Sequence, residues 1–271
     1  MKIIPMSPPG QQKDYLWAQL RDLPYFRALL RAVEARVYAE LELPAPILDV
    51  GCGDGHFVTT AFDRPIDVGI DPWAEPVRQA AKRGGYRLVV QGYGDRLPFP
   101  GGYFGSAMSN SVLEHIPAVE DVLLEVARVL QPDAPFVFCV PNHNFLSNLS
   151  VSNFMERAGA ARWAKAYRRF FNRISRHYHC DDTQVWQDRL ERTGFKIERT
   201  WHYFSPAALQ VLEWGHYFGL PSLVSQKLFK KWILLPARWN LAATTALVKP
   251  YYDEARQQEQ GAYSFYVTRR R

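Results

Sequence analysis

The residues best suited to ligand chemistry lie in segment 47–56, where a short apolar run leads into three glycines spaced by single residues. Glycines at this spacing permit the backbone angles of a tight strand-to-helix turn and let backbone amides approach a ligand. Asp49 stands just before the first glycine, and Asp54 lies inside the turn. These two carboxylates would repel the pyrophosphate that a dinucleotide brings to such a turn. The segment therefore predicts a site for a small ligand that carries positive charge.

A second acidic position closes the next apolar run, residues 66–71. Asp71 stands twenty residues after Gly51. In nucleotide-binding α/β folds, an acid at the tip of the second strand accepts hydrogen bonds from ribose hydroxyls, each worth about 1.5–3 kcal/mol. We therefore expect Asp71 to bind a ribose.

Two further motifs follow in order along the chain. Residues 91–100 read QGYGDRLPFP and are followed by GYF at 102–104, and residues 108–116 read MSNSVLEHI. Four motifs in this order are a specific signal, whereas one glycine-rich turn would be a weak one. Together they resemble the class I S-adenosylmethionine-dependent methyltransferases.

The resemblance implies a fold and a cofactor. The fold is α/β, a Rossmann-like, doubly wound, mostly parallel seven-stranded sheet with an antiparallel last strand. The cofactor is S-adenosyl-L-methionine, whose ammonium and sulfonium groups bring positive charge. Where many relatives carry an aspartate beside adenine, this chain has Tyr93 and Gly94, so amides near Gly94 or the Asp95 carboxylate would contact the base. The expected cofactor residues are Asp49, Gly51, Cys52, Gly53, Asp71, Pro72, Trp73, Tyr93, Gly94, Asp95 and Asn110.

The alternation of apolar runs and helical patterns also favours a parallel sheet with helices on both faces. Ligands bind at the carboxyl ends of such strands, near the point where the strand order reverses. The predicted strands are 47–50, 66–70, 87–91, 104–108, 135–140, 195–198 and 263–269, and the predicted helices of the core are 55–62, 73–83, 118–130 and 183–193.

Around this core the sequence predicts additional helical segments within a single methyltransferase domain, residues 1–271. The helical pattern near the N-terminus breaks at Pro24 and predicts a cap. The predicted parts are an N-terminal helical cap at 11–43, a cofactor-binding core at 44–141, a basic and aromatic cap segment at 142–180, the end of the core sheet at 181–203 and 262–271, and an apolar helical insertion at 204–261.

The segment 156–176 carries seven basic residues and one acid. Helical spacing predicts a basic side with Arg162, Lys165, Arg169, Arg173 and Arg176, and an opposite apolar side with Trp163, Tyr167, Phe170 and Ile174. Such a helix can present a solvated face, lie on an anionic membrane or bind a phosphorylated substrate. The apolar insertion has two interpretations as well: a lid packed on its own domain, or a patch that contacts lipid or a partner.

The composition of the chain excludes several classes of protein. The apolar fraction of 47% excludes a disordered chain, and three cysteines are too few for a disulfide framework or a zinc site, so we expect no metal and a reducing cytoplasm. Residues 1–10 have no sustained apolar stretch and predict a loose arm, and no apolar run is long enough for a membrane span. Contact with an anionic membrane surface stays a second expectation.

The net charge of +6 permits nucleic-acid binding, but the motif after the fourth strand lacks the signatures of base methyltransferases, which disfavours that partner.

The function implied by the resemblance is in-line transfer of a methyl group to a small organic acceptor with an oxygen or nitrogen nucleophile, which is apolar, anionic or lipid-linked. A general base would help such an acceptor, typically by about 10²–10⁴-fold. The histidines placed to act are His143, His115 and His179, although the sequence establishes no base. The alternatives are an RNA methyltransferase and a non-catalytic adenosyl-binding module, and the sequence leaves the acceptor and the oligomeric state open.

Overall fold

A central seven-stranded sheet organises the chain in a computed structural model that describes residues 13–271, apart from the side chains of residues 220 and 221. The predicted arm at 1–10 and the first two residues of the predicted cap lie outside the described residues. The strands are β1 (Ile47–Val50), β2 (Ile66–Asp71), β3 (Tyr86–Gln91), β4 (Ser106–Asn110), β5 (Pro135–Pro141), β6 (Phe195–Tyr203) and β7 (Tyr263–Arg270).

The strand order is β3-β2-β1-β4-β5-β7-β6, and β7 is antiparallel to both of its neighbours. Strands that are covered on both faces read as continuous apolar runs, and β5 accordingly buries every residue. The order reverses between β1 and β4, which opens a crevice at the carboxyl ends of these strands. The predicted sheet, with its antiparallel last strand, is confirmed.

Helices cover both faces of the sheet. One apolar cluster packs α1, α2 and α3 against the first face, and a second cluster packs α5 and α9 against the other. The helices are α1 (Tyr15–Leu20), α2 (Tyr25–Tyr38), α3 (His56–Ala61), α4 (Ala74–Arg83), α5 (Val119–Val129), α6 (Asn144–Ser147), α7 (Ser150–Arg157), α8 (Ala161–Ser175), α9 (Thr183–Arg192), α10 (Pro206–Phe218), α11 (Leu220–Phe229) and α12 (Ala242–Tyr252).

Two predicted strand bounds are wrong. The fourth strand begins at Ser106, because Phe104 makes only an isolated bridge with Leu130. The sixth strand runs on to Tyr203, well beyond the predicted end at residue 198, because it pairs with β7 along its length around a register shift. The predicted break at Pro24 is confirmed, since this residue separates α1 from α2.

The predicted apolar side of α8 is largely exposed. Ala164 and Phe171 are its buried residues, whereas Trp163, Phe170 and Ile174 of the predicted apolar side are exposed. The cause is a set of contacts with α7: the Arg168 guanidinium donates to Ser152, Asn153 and Glu156 and fixes the rotation of the helix. The apolar side chains that these contacts turn outward form part of the molecular surface.

The two ends of the insertion, after β6 and before β7, lie next to each other. The Ala262 amide donates to the Phe204 carbonyl at 2.9 Å, so the two ends of the insertion are joined. Between them α10 and α12 pack against α2, whereas no described residue of α11 is buried. Within the described part of the chain, no helix combines the length and apolar character needed to cross a bilayer.

Candidate functional site

A cavity of about 850 Å³ lies at the carboxyl ends of β1, β2 and β4, where the strand order reverses. We call it the cofactor crevice. All eleven residues expected at the cofactor line it: Asp49, Gly51, Cys52, Gly53, Asp71, Pro72, Trp73, Tyr93, Gly94, Asp95 and Asn110.

The glycine turn is held close to β2. The amides of Gly51 and Cys52 both donate to the Ile70 carbonyl, at 2.8 and 3.0 Å. Gly51 has a φ of +81°, and a Cβ there would lie 2.4 Å from a methyl of Val112, so glycine is required at this position. At Gly53, with a φ of +55°, nothing lies within 4 Å of a Cβ position, which leaves room for a ligand beside the turn.

Asp71 lies at the tip of β2 and is buried. Its Oδ2 accepts from the Gly53 amide at 3.0 Å, and its Oδ1 accepts from the Trp73 amide at 3.0 Å. Each oxygen keeps a second lone pair, so this oriented carboxylate can accept from two ribose hydroxyls. The local geometry fits the predicted ribose site.

Asp49 is buried and accepts a hydrogen bond of 2.6 Å from the Tyr86 hydroxyl. Burial raises the pKa of Asp49 to about 7, and the nearby Asp71 adds to this rise. A cation in the crevice would favour the ionised carboxylate, so Asp49 fits the ammonium group of the expected cofactor.

The second acid of the turn is already partnered. The Asp54 carboxylate contacts Arg83 at 3.0 Å and accepts from the His56 amide at 3.1 Å. Asp54 lines the crevice, but Arg83 offsets the negative charge that its place in the turn suggests. Asp49 and Asp71 provide that charge instead.

A buried carboxylate on the cap, Glu34 of α2, holds residues that line the cavities, and the sequence did not single it out. It accepts from Arg31 at 2.7 Å, from Asn110 and Ser111 at 2.9 Å, and from Tyr203 at 3.0 Å. A charged residue on the apolar stripe of α2 was the available signal. The network ties the cap to the end of β4 and to β6.

The same network occupies the side chain of Asn110. Its amide nitrogen donates to Glu34, and its amide oxygen accepts from the Cys139 thiol at 3.1 Å. Asn110 is thus oriented by protein groups even though it lines the crevice. Its contact with the methionine part of the cofactor stays a prediction.

A second cavity of about 530 Å³ adjoins the crevice, and we call it the acceptor cavity. It lies between α2, α10 and the C-terminal end of α8. The residues that line both cavities are Arg27, Arg31, Ser111, His115 and Trp232. The sequence suggested neither arginine, because both occur on a helix that reads as an ordinary amphipathic cap.

Of the three candidate histidines, the structure brings His115 alone to the cavities. Its ring lines both of them, and its Nδ1 lies 3.0 Å from the Arg176 carbonyl. His143 is exposed beside His202, and His179 contacts the Ile116 carbonyl and Asp181. His143 and His179 are absent from the described lining of either cavity, so the geometry gives them no support as a base.

Glu114 and His177 also line the acceptor cavity. Glu114 is 2% exposed, and burial raises the pKa of its carboxyl to about 8. Burial, together with His115 and His216, lowers the pKa of His177 to about 3. Glu114 lies within the motif 108–116, which was the signal that could have identified it.

Known proteins resemble this chain in sequence and fold. Residues 48–138 match the family model described as Methyltransferase domain. Trans-aconitate 2-methyltransferase of Mycolicibacterium gilvum is 31% identical over 157 residues, which cover 57% of each chain. Botryococcene C-methyltransferase of Botryococcus braunii is 34% identical over 116 residues, which cover 40% of this chain and 31% of that protein. The matched part of this chain thus spans about half or less of the length of these relatives.

Among solved structures, geranyl diphosphate C-methyltransferase from Streptomyces coelicolor A3(2), in complex with Mg²⁺, geranyl diphosphate and S-adenosyl-L-homocysteine, has a TM-score of 0.54 and 13% identity. The match covers 98% of this chain and 87% of that chain. At this identity the likeness establishes the fold. Together with the family match over residues 48–138, this fold supports a class I S-adenosylmethionine-dependent methyltransferase with S-adenosyl-L-methionine as its cofactor.

Proposed function

We propose that this chain transfers the methyl group of S-adenosyl-L-methionine to a small anionic acceptor with an apolar body, bound in the acceptor cavity. The observation that carries this proposal is that the two cavities adjoin and share Arg27 and Arg31 in their walls. An acceptor there would lie beside the cofactor, and its position would supply much of the rate enhancement for an in-line displacement.

The lining of the acceptor cavity supports an amphiphilic anion. Arg31 is paired with Glu34, but Arg27 has no carboxylate partner among the described residues and lies 5.7 Å from the centre of the Trp232 ring. Arg27 is therefore available to an anionic group. The apolar part of the acceptor would contact side chains that line the same cavity: Phe26, Leu30, Phe145, Leu212 and Leu223.

Some of the apolar residues that line the acceptor cavity are also exposed on the surface of the protein. Ile174 of α8 and Leu223 of α11 line the cavity and are both exposed. Helical spacing places Leu223, Val224 and Leu228 on one side of α11, and Leu228 is 69% exposed. A helix whose described residues include exposed apolar side chains and none that is buried supports contact with an apolar phase.

The charge of residues 214–252 supports an anionic membrane as that apolar phase. Residues 214–252 contain no aspartate or glutamate, and their cationic residues are Lys227, Lys230, Lys231, Arg238 and Lys249. Exposed apolar groups mixed with cations are typical of helices that lie on anionic bilayers. We therefore propose that α11 and residues 230–239, which include Trp239 at 72% exposure, contact an anionic membrane surface. The acceptor would enter the cavity from that surface.

A screen of acceptors tests the catalytic proposal. We would measure transfer of labelled methyl from S-adenosyl-L-methionine to fatty-acyl and isoprenyl carboxylates and phosphates, and to RNA as the rival class. We expect turnover of an amphiphilic anion, and Arg27→Ala should raise its KM about 10-fold, as expected for the loss of one charged hydrogen bond. Arg162→Ala on the exposed side of α8 is the control and should leave KM unchanged. Transfer to RNA alone would refute the proposal.

Co-sedimentation with vesicles tests the membrane contact separately. We expect binding to phosphatidylcholine vesicles that contain phosphatidylglycerol, weaker binding to phosphatidylcholine alone, and release at high salt. Leu228→Ser should weaken binding. Leu124→Ser, at an exposed leucine of α5 on the other face of the sheet, should not. A protein that stays in the supernatant at low salt would exclude this surface.

A further inference from the structure

Glu114, His115 and His177 form a compact cluster on the wall of the acceptor cavity. One potential ligand atom from each residue lies within 4.8 Å of the others. Sequence spacing alone predicts no metal site here, since His115 and His177 are sixty-two residues apart. The fold brings them together because the Tyr178 amide donates to the Glu114 carbonyl at 2.7 Å.

The cluster is oriented for ligation. His115 Nδ1 lies 3.0 Å from the Arg176 carbonyl oxygen, which can only accept a hydrogen bond. Nδ1 therefore carries the proton, and the Nε2 lone pair is free, 3.8 Å from Glu114 Oε1. A carbonyl that holds the distal N–H of an imidazole in this way is typical of metal-binding histidines.

Glu114 provides an independent sign of a missing ligand. Its Oε2 is buried without a hydrogen-bond partner among the described residues. Burying a carboxylate oxygen unpaired is costly unless another group compensates it. A cation bound by the Glu114 carboxylate and the two imidazoles would provide that compensation.

From this geometry we propose that Glu114, His115 and His177 bind a divalent first-row transition metal. Two imidazoles and one carboxylate are a donor set found in catalytic zinc and iron sites, where open coordination positions remain. Here an open position would face the acceptor cavity and receive an oxygen of the anionic acceptor. This role in acceptor binding rests on the proposed function, whereas metal binding itself does not.

The charges around the cluster are compatible with a cation. Arg31 and Arg176 are nearby charges of the wrong sign, and the ion pair of Arg31 with Glu34 neutralises the first of them. Glu114 supplies the negative charge at the site once a bound cation displaces its proton. The metal and Arg27 would then both attract an anionic acceptor from the same cavity.

Titration of the full chain, stripped of metal by a chelator, tests the proposal with Zn²⁺ in calorimetry and Co²⁺ in absorption spectroscopy. We expect one equivalent to bind, with the Co²⁺ spectrum of a site with nitrogen and oxygen ligands. His177→Ala and Glu114→Gln should each weaken Zn²⁺ binding by at least about 100-fold, because the loss of outer-shell partners alone costs 10–100-fold. His143→Ala, an exposed histidine outside the cluster, is the matched control.

S-Adenosyl-L-methionine affinity measured on the same variants reports their folding, since His177 and Glu114 are absent from the described lining of the cofactor crevice. Zn²⁺ binding that is absent, or that persists unchanged in folded His177→Ala and Glu114→Gln, would overturn the proposal. The titration needs no acceptor, so its outcome is independent of the acceptor screen.

Discussion

Arg31 and Glu34 lie one turn apart on α2, and the Arg31 guanidinium contacts the Glu34 carboxylate at 2.7 Å. The carboxylate is fully buried, and it also accepts from Asn110 at the end of β4 and from Tyr203 at the end of β6. One side chain of the cap thus fixes an arginine at the junction of the two cavities and holds two strand ends in place.

Replacement of Glu34 by alanine should reduce the free energy of unfolding by about 3 kcal/mol. Removing one partner of a buried pair costs about 3–5 kcal/mol because the remaining charge is uncompensated, and partial exposure of Arg31 favours the lower end. Denaturant unfolding measures the loss. Glu75→Ala, which breaks an exposed pair with Arg78 on α4, should cost far less. Equal losses would mean that the Glu34 network does not stabilise the cap.

Binding of S-adenosyl-L-methionine should strengthen as the pH rises from about 6 to about 7.5. Asp49 has a pKa near 7 in the free protein and is mostly protonated at the lower pH, whereas the cationic ligand favours the carboxylate. The expected gain is roughly 5- to 10-fold, with proton release on binding. Calorimetry in buffers of different ionisation enthalpy detects both. A wild-type pH profile identical to that of Asp49→Asn would exclude Asp49 as the titrating group.

Asp49→Asn should have opposite effects on binding and stability. A carboxyl whose pKa is raised on folding stabilises the fold when protonated, and this contribution is lost as the pH rises through the folded-state pKa of about 7. The amide avoids that loss while it can still accept from Tyr86. At pH 8 we expect a higher melting temperature and weaker cofactor binding than in wild type. A variant less stable than wild type at pH 8 would contradict the assigned pKa.

Asp71→Ala should weaken the affinity for S-adenosyl-L-methionine by about 2–3 kcal/mol, roughly 30- to 150-fold, because the ribose hydroxyls lose their acceptors. Calorimetric titration gives the affinity. The control is Asp54→Asn, whose carboxylate is paired with Arg83, and we expect less than about a 3-fold change there. An unchanged affinity in Asp71→Ala would remove Asp71 from the site.

Gly51→Ala should destabilise the fold more than Gly53→Ala. Both positions have positive φ, but a Cβ at Gly51 also meets Val112 at 2.4 Å, whereas Gly53 has open space. We expect about 1 kcal/mol for the backbone strain alone and about 2–3 kcal/mol when the overlap is added. Denaturant unfolding compares the two, and Val112→Ala should recover part of the Gly51→Ala loss. If the two glycine variants are equally stable, the contact with Val112 is not limiting.

The sheet and the cofactor crevice could be predicted from the sequence because the patterns that indicate them are local. The glycine turn, Asp49 and Asp71 occur within two short segments, and strand geometry places their ends at the same edge. The resemblance to a known family supplied the rest of the crevice, including Tyr93 and Gly94.

The acceptor side could not be predicted in the same way, because its residues are far apart in sequence. Arg27, Glu114 and His177 meet only when three separate segments pack together. The rotation of α8 depends on Arg168 contacts that hydrophobic periodicity does not reveal. The predicted cytoplasmic location stays a prediction, whereas the predicted absence of a metal is the opposite of the site proposed at Glu114, His115 and His177.

The hydrogen bond between Ala262 and Phe204 has an evolutionary consequence. Because the excursion from β6 to β7 starts and finishes at adjacent positions, its length and composition can vary with little entropic penalty for closing the loop. Evolution could therefore exchange the insertion at 204–261, and with it the range of acceptors, while the sheet and the cofactor crevice stay the same.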